Sequence, residues 1–110
     1  MYLTFTTGTI KPGQLEAAAA LFRDSVPGLY VDHQEWNGLR LCIDRQSGTI
    51  TVIGFWRSAG AFERFRQGEA YKASLSRFAS MCETPVEVSV QEVLVELDRQ
   101  DSAPDRIVVH

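Results

Sequence analysis

Residues that commonly bind metals are scarce in this sequence. It contains two cysteines and two histidines in 110 residues, and Cys42 and Cys82 form neither a CxxC pair nor a cluster with histidine. No other spacing of His, Cys, Asp and Glu is typical of a metal site. We therefore expect no metal and no cofactor, and we interpret both cysteines as buried free thiols in a reducing cytoplasm.

Basic residues are not in excess, and long apolar runs are absent. The 11 Lys and Arg are interspersed with 14 Asp and Glu, for a formal net charge of −3, whereas a nucleic-acid-binding face needs clustered basic residues. The apolar stretches are too short to span a bilayer. Met1 is followed directly by a strand-like run, without the regions of a signal peptide. The sequence thus predicts a cytoplasmic protein that binds neither nucleic acid nor membrane.

What the sequence does contain is the composition of one small globular domain. Apolar residues make up 45% and charged residues 23% of the chain, which are ordinary proportions for a folded protein. A chain of this length buries roughly two-thirds of its unfolded surface on folding. We expect one domain over residues 1–97. A polar C-terminal tail over residues 98–110 then forms either a short extra strand or no regular structure.

Periodic patterns predict the secondary structure of the first half. Residues 2–10 read as a strand. The apolar face of the amphipathic helix that follows consists of Leu15, Ala18, Ala19, Phe22 and Val26. The segment after Pro27-Gly28 reads either as a kinked continuation of this helix, which we favour, or as an early strand. Period-2 alternation then predicts strands at residues 39–43 and 49–56, joined by a hairpin loop.

The second half begins with a helix that Ser58 is placed to cap. Its apolar stripe has a break or kink near Gly68 and consists of Phe62, Phe65, Tyr71, Leu75, Phe78 and Cys82. Thr84-Pro85 ends this helix, and a last strand begins at Val86. The apolar phase of that strand shifts by one residue after Val90. The shift predicts a bulge, or a strand whose two halves bury opposite faces.

The predicted order of elements is β-α-β-β-α-β, an α+β, ferredoxin-like arrangement with a four-stranded antiparallel sheet and helices on one face. The strand at residues 49–56 is apolar on both faces, so the face without helices also needs a cover. A monomer would expose a large apolar patch there. A second copy packed sheet to sheet covers it, and we therefore predict a symmetric homodimer.

The centre of the sequence resembles a known family. Residues 38–48 read as a strand with an Asp/Gly hairpin, and residues 52–62 as a strand that leads through Trp56-Arg57-Ser58 into a helix. This order and the Trp-x-Ser motif resemble antibiotic-biosynthesis-monooxygenase-like domains. The resemblance implies a ferredoxin-like protomer, a dimeric α/β barrel and a ligand pocket between helices and sheet. Known members include cofactor-free oxygenases of aromatic compounds, haem-degrading enzymes and proteins without assigned activity.

The resemblance also implies which positions to compare with the haem-degrading members. These carry an Asn on the first strand, a Trp in the second helix and an iron-binding His further along that helix. In this sequence the first strand offers Thr6 and Thr7, and the two helix positions hold Phe65 and Leu75. Because leucine has no atom that ligates iron, we exclude haem degradation.

Members that oxygenate polyketides hold a phenolic substrate with an Asn, a Trp and a Tyr. The matching positions here are Ala61, Phe65 and Tyr71, so one polar group of the three remains. The resemblance therefore makes Tyr71 the candidate catalytic residue, with its hydroxyl orienting an oxygen of the substrate. The alternative is a core tyrosine whose hydroxyl reaches the surface.

The predicted ligand pocket consists of Phe22, His33, Trp56, Phe62, Phe65 and Tyr71. His33 acts as a base if a partner and a pocket surround it, and is otherwise a surface residue. Trp56 lines a site for a flat ligand or is simply part of the core, and Trp36 has the same alternatives. Arg40 and Arg57 meet an anionic substrate or are solvated. Neither cysteine has the electropositive surroundings that a nucleophile needs.

Our leading hypothesis is a cofactor-free monooxygenase that acts on an aromatic or quinol-like small molecule, with the pocket supplying orientation and desolvation. It depends on the resemblance, and a fold alone does not determine a function. The first alternative is a non-catalytic dimeric protein that binds small molecules or responds to stress. A less favoured one is an isomerase. Polar groups that converge inside the pocket favour an enzyme, and a purely apolar pocket favours binding.

Overall fold

The computed structural model describes residues 1–31, 33, 35–99 and 106–109. The predicted order of strands and helices is confirmed over residues 2–92, with the second helix divided in two. The elements are β1 (Tyr2–Thr9), α1 (Leu15–Val31), β2 (Trp36–Asp44), β3 (Thr49–Trp56), α2 (Ala59–Arg66), α3 (Glu69–Ser80), β4 (Glu87–Glu92), β5 (Val95–Asp98) and β6 (Arg106–Val109).

Strands β1 to β4 form a four-stranded antiparallel sheet in the order β2-β3-β1-β4. Burial alternates strictly along β3, where Ile50, Val52 and Trp56 are buried under the helices. Cross-strand partners share a face of a sheet, so the pairing of Thr6 with Val52 places Thr6 on this helix-covered face. The ferredoxin-like fold predicted from the sequence is therefore the one observed.

The opposite face of the sheet is not covered by any of the described helices. Ile53 and Phe55 of β3 lie there, half-buried, with their β1 partners Phe5 and Leu3. Cys42 of β2 lies on the same face and is exposed, so our interpretation of two buried thiols is wrong for this residue. The physical reason is its place in the alternation: Cys42 follows Leu41 by one position, and the two side chains point to opposite faces.

Helix α1 continues through Pro27 to Val31, as favoured from the sequence. Proline removes one backbone donor inside a helix and crowds the preceding turn, but burial of the apolar stripe on both sides of it holds the helix together. Val26 precedes the proline and Tyr30 follows it, and both are buried. The helix therefore carries its packed face four residues beyond the last apolar position assigned from the sequence.

The two turns around the second helical segment follow local chemistry. The Ser58 hydroxyl oxygen accepts a hydrogen bond from the Ala61 backbone N–H at 3.1 Å, which confirms the predicted N-cap. Gly68 separates α2 from α3 with an extended backbone.

In the hairpin between β2 and β3, the Asp44 carboxylate accepts hydrogen bonds from the Gln46 and Ser47 backbone N–H groups, and these bonds lower the pKa of Asp44.

The C-terminal strand pattern has a different origin from the one predicted. Strand β4 ends at Glu92, and β5 begins a separate two-stranded sheet with β6. The phase shift after Val90 is thus neither a bulge nor a change of buried face within one strand, because two strands of different sheets account for it. Leu97 of β5 and Val109 of β6 are 61% and 75% exposed, so this hairpin leaves apolar side chains uncovered.

Candidate functional site

A small cavity lies between the helix-covered face of the sheet and helices α1 and α3. It encloses about 40 Å³. Its lining residues are Thr6, Phe22, Val26, Leu29, Tyr30, Val52, Phe65, Tyr71, Ser74, Leu75 and Phe78. Leu29, Ser74 and Leu75 are only half-buried, which places the opening between α1 and α3.

The cavity is too small for an aromatic ligand as it stands. A volume of 40 Å³ has room for a few water molecules, whereas a cavity that accepts benzene encloses about 150 Å³. The half-buried side chains at the opening, on two separate helices, are the ones that can move. A ligand of ring size therefore has to widen the space between α1 and α3 as it enters.

Tyr71 contributes the most unusual polar atom of the cavity. Its side chain is 9% exposed, and its buried hydroxyl oxygen has no hydrogen-bond partner among the described residues. Burial is the main cause that raises the pKa of Tyr71, and the nearby Arg66 and Thr6 offset part of the rise. Thr6 is thus close enough to influence the phenol, yet the two hydroxyls do not have the geometry of a hydrogen bond. A buried donor without a partner is costly, so this hydroxyl is available to a ligand.

Tyr30 is the cavity residue that the sequence reasoning missed. It lies on α1, is buried and lines the cavity opposite the helix that carries Tyr71. Burial raises the pKa of Tyr30, and the neighbouring Tyr71 raises it further. The signal is present in the sequence, since Tyr30 stands four positions after Val26 and continues the i, i+4 stripe of the helix. A stripe that is followed only as far as Val26, the residue before the proline, does not include Tyr30.

Phe65 is the centre of the aromatic cluster behind the cavity. Its ring centroid lies 4.8 Å from that of Tyr30 and 5.2 Å from that of Tyr71. The Trp56 ring packs against it at 5.0 Å. A ring held by several edge and tilted contacts has few alternative rotamers. Phe65 therefore restricts the positions of the two tyrosine rings that pack against it.

The six predicted pocket residues do not all reach the cavity. Phe22, Phe65 and Tyr71 line it. Trp56 and Phe62 are completely buried behind it, at 0% and 1% exposure. His33 lies outside, exposed, with its ring centroid 4.8 Å from the Phe65 centroid in an edge-on contact. A ligand contact at these last three positions stays a prediction.

Trp56 has a clear structural role. Its indole Nε1–H donates to the Thr4 hydroxyl oxygen at 3.1 Å, in the buried interior. The indole occupies the space beside Gly54, where an added Cβ would lie 2.6 Å from Nε1. The glycine is thus required for the close approach of the ring. Together with the Ser58 cap, this explains the Trp-x-Ser motif by packing and helix initiation.

The other charged or reactive candidates lie away from the cavity. The Arg40 guanidinium sits 5.5 Å from the Phe55 ring centroid on the helix-free face. The Arg57 Nε–H donates to the Asn37 side-chain oxygen at 3.4 Å, also at the surface. Burial raises the pKa of the Cys82 thiol, which disfavours a nucleophilic thiolate. The described residues contain no group of three or more His, Cys, Asp and Glu that is arranged to hold a metal ion.

Comparison with known proteins identifies the family. A family model described as antibiotic biosynthesis monooxygenase matches residues 1–76. The chain belongs to the antibiotic biosynthesis monooxygenase family. Of the helix positions compared above with haem-degrading and polyketide-oxygenating members, Phe65, Tyr71 and Leu75 line the cavity, whereas Ala61 is buried. No curated protein matches the sequence.

Solved structures show the same fold as this member of the antibiotic biosynthesis monooxygenase family. The protein Rv0793 from Mycobacterium tuberculosis superimposes with a TM-score of 0.73 at 18% identity, covering 86% of this chain and 96% of its own. PA3566 from Pseudomonas aeruginosa has a TM-score of 0.65 at 23% identity, with 84% and 93% covered. A crystal structure named antibiotic biosynthesis monooxygenase has a TM-score of 0.72 at 16% identity, with 84% and 98% covered.

No helix within the described ranges has the length and apolar character needed to cross a bilayer. The longest, α1, has 17 residues and contains Glu16, Arg23 and Asp24, whereas a membrane-spanning helix needs about 20 mainly apolar residues.

Proposed function

We propose that this protein is a cofactor-free monooxygenase of an aromatic or quinol-like small molecule, which it binds in the cavity between α1, α3 and the sheet. The observation that carries the proposal is the buried Tyr71 hydroxyl, unpartnered among the described residues, in an otherwise aromatic and aliphatic cavity. Apolar walls with a few placed polar groups are typical of small-molecule sites. A hydroxyl that lacks a partner in the empty protein gains one when a ligand oxygen enters.

The chemistry that such a site supports is oxidation of an electron-rich ring by molecular oxygen. For an anthrone-type substrate, a ring CH₂ and O₂ give a ring ketone and one water, so that atoms and electrons balance. The substrate first loses one CH₂ proton to solvent water and then supplies the electrons, and a proton taken back from solvent completes the water that is released. The protein holds the resulting oxyanion by hydrogen bonding and excludes bulk water from it. Tyr71, whose raised pKa keeps it protonated at neutral pH, is the donor to that oxyanion.

The test is oxygen uptake by the purified protein with a panel of anthrones, naphthols and quinols. Wild type should consume oxygen faster than the uncatalysed reaction, and Tyr71→Phe should lose at least about tenfold in rate, since one oxyanion donor typically contributes that much or more. The chain offers a matched control in Tyr2, a half-buried tyrosine of β1 that does not line the cavity. Tyr2→Phe should retain the wild-type rate. Equal rates in both variants would contradict the role of Tyr71.

A second function is favoured by one observation: among the described residues, no charged side chain lines the cavity. General-base catalysis needs a titratable group within reach of the proton, and His33 lies outside. A non-catalytic protein that binds an aromatic ligand would show this lining. In that case the panel compounds would raise the melting temperature by mass action without any oxygen uptake above background.

The same proposal includes a homodimer formed by sheet-to-sheet packing. Ile53 and Phe55 lie half-buried on the helix-free face, and the β5–β6 hairpin exposes Leu97 and Val109. A hairpin of two short strands is marginal unless it packs on something. The Cα radius of gyration of 15.2 Å exceeds the about 13 Å of a compact chain of this length. These features support a second copy as the cover, because two-fold symmetry buries the same apolar surface twice.

Light scattering after size exclusion tests the dimer. Wild type should have twice the mass of the 12.3 kDa chain. Ile53→Lys places a charge in the centre of the helix-free face and should yield a folded monomer. Ser76→Lys, at an exposed position of α3, is the control and should stay dimeric. A monomeric wild type would contradict this part of the proposal and leave the monooxygenase part to its own test.

A further inference from the structure

We propose that Tyr30 is a second ligand-contacting donor, and that Tyr30 and Tyr71 together select aromatic ligands that carry an oxyanion, such as a phenolate or an enolate. The family resemblance assigns no role to Tyr30. The inference builds on the proposed function for the place of the ligand, but it does not require that any reaction occurs.

The first support is the placement of the two phenols. Tyr30 comes from α1 and Tyr71 from α3, and both line the same cavity. Both rings contact Phe65, at centroid distances of 4.8 Å and 5.2 Å. Tyr71 is close enough to Tyr30 to affect its ionisation. Two phenol side chains from separate helices thus line one small space.

The second support is the kind of polar group in the cavity. The polar lining side chains, those of Thr6, Tyr30, Tyr71 and Ser74, all carry hydroxyls. The Tyr71 hydroxyl is buried and has no partner within the described part of the chain, so it has a hydrogen to donate. Hydrogen bonds to a charged acceptor are stronger than those to a neutral one. A ligand with an oxyanion therefore gains most from these hydroxyls, and the apolar remainder of the lining suits its ring.

The third support is that both phenols stay protonated over a wide pH range. Burial raises the pKa of each, and for Tyr30 the neighbouring Tyr71 adds to the effect. Around Tyr71, Glu63 also raises the pKa while Arg66 lowers it. A protonated phenol donates to an oxyanion, whereas an ionised one would repel it. The pair is thus suited to anionic ligands at the pH at which a phenolic ligand ionises.

The experiment compares two probes that differ in charge at one oxygen. 4-Nitrophenol is used at a pH at which it is ionised and the protein's phenols are not, and 4-nitroanisole, its methyl ether, stays neutral. Binding of each is measured by titration for wild type, Tyr30→Phe, Tyr71→Phe, the double variant and Tyr2→Phe. Circular dichroism and thermal melts confirm that each variant is folded.

Wild type should bind the phenolate more tightly than the ether. Each cavity variant should lose roughly tenfold or more in phenolate affinity and only a few-fold in ether affinity, because hydrogen bonds to charged groups contribute more than neutral ones. The ratio of the two affinities should therefore fall in Tyr30→Phe, fall again in the double variant and stay constant in Tyr2→Phe. A purely structural role of Tyr30 would lower both affinities equally.

Three results would overturn the inference. These are an unchanged affinity ratio in Tyr30→Phe, a ratio in the double variant no lower than in Tyr71→Phe, and no measurable binding of the phenolate by wild type. Failure of the proposed monooxygenase is distinguishable, because it appears as absent oxygen uptake while the affinity ratio still depends on Tyr30.

Discussion

Replacing Tyr71 by phenylalanine is expected to stabilise the unliganded protein, the reverse of the usual effect of a substitution at a buried site. The Tyr71 hydroxyl is buried, and none of the described residues is its hydrogen-bond partner. Leaving a buried donor unpaired costs about 1–3 kcal/mol, and phenylalanine removes this cost. The substitution keeps the ring, so that its contact with Phe65 at 5.2 Å between centroids is retained.

The opposing terms are small. Loss of one oxygen atom enlarges the cavity slightly, which costs a few tenths of a kcal/mol at about 24 cal/mol per Å³. The influence of Thr6 on the phenol is lost as well. A net gain of about 1 kcal/mol remains after these terms. For a chain of this size that raises the melting temperature by about 4 °C.

The assay is thermal and urea unfolding of wild type, Tyr71→Phe and Tyr2→Phe, all at one protein concentration because an associating protein melts in a concentration-dependent way. Tyr2→Phe should stay within about 0.5 kcal/mol of wild type, as surface-near substitutions usually do. A drop in stability of about 1 kcal/mol or more in Tyr71→Phe would refute the reasoning. It would mean that the hydroxyl is already satisfied in the empty protein, and its availability to a ligand would no longer follow.

The remaining predictions concern the scaffold. Gly54→Ala should destabilise the protein by about 1–3 kcal/mol through overpacking, because the new Cβ would lie 2.6 Å from Trp56 Nε1. Gly28→Ala places its Cβ in open space and should stabilise the protein by about 0.5–1 kcal/mol through helix propensity. Urea unfolding measures the free energy of unfolding of both variants. Ser58→Ala removes the N-cap of α2 and should cost about 1 kcal/mol, with Ser58→Asp restoring most of it. The pKa of Asp44 is lowered from its ordinary 3.8, so its stabilising effect is complete above that value and is lost as the pH falls through the folded-state pKa. Wild type and Asp44→Ala should therefore differ most at neutral pH and converge in acid, and a constant difference across pH would contradict this.

Most of the fold follows from local sequence signals: the two-residue apolar repeat of strands, the three- to four-residue apolar repeat of helices, and helix caps. The apolar alternation along β3 is enough to predict that Ile50 and Val52 share one face, and they are buried together under the helices. The hydroxyl of Ser58 likewise marks the start of α2, where it accepts the hydrogen bond of the cap. Such local signals succeed because burial and capping act within a few residues of the chain.

The candidate site was predicted only in part, for a physical reason. Phe65 and Tyr71 lie on the apolar stripe of the second helical segment, and the family resemblance singles out Tyr71, whereas Tyr30 stands beyond a proline whose tolerance depends on packing from other elements. Tertiary contacts routinely override local preference. The separation of β5 from β4 was missed on the same ground, because strand pairing is decided by distant residues that the apolar phase of one segment does not reveal.

The hydrogen bond from the Trp56 indole to Thr4 has a consequence for how this family is recognised in new sequences. In this chain the residues of the Trp-x-Ser motif secure the scaffold, and the side chains that line the cavity come mainly from α1 and α3. A search for the motif therefore retrieves a shared architecture and carries little information about catalysis. We expect ligand preference to depend instead on the residues that line the cavity, among them Tyr30, Tyr71 and Leu75.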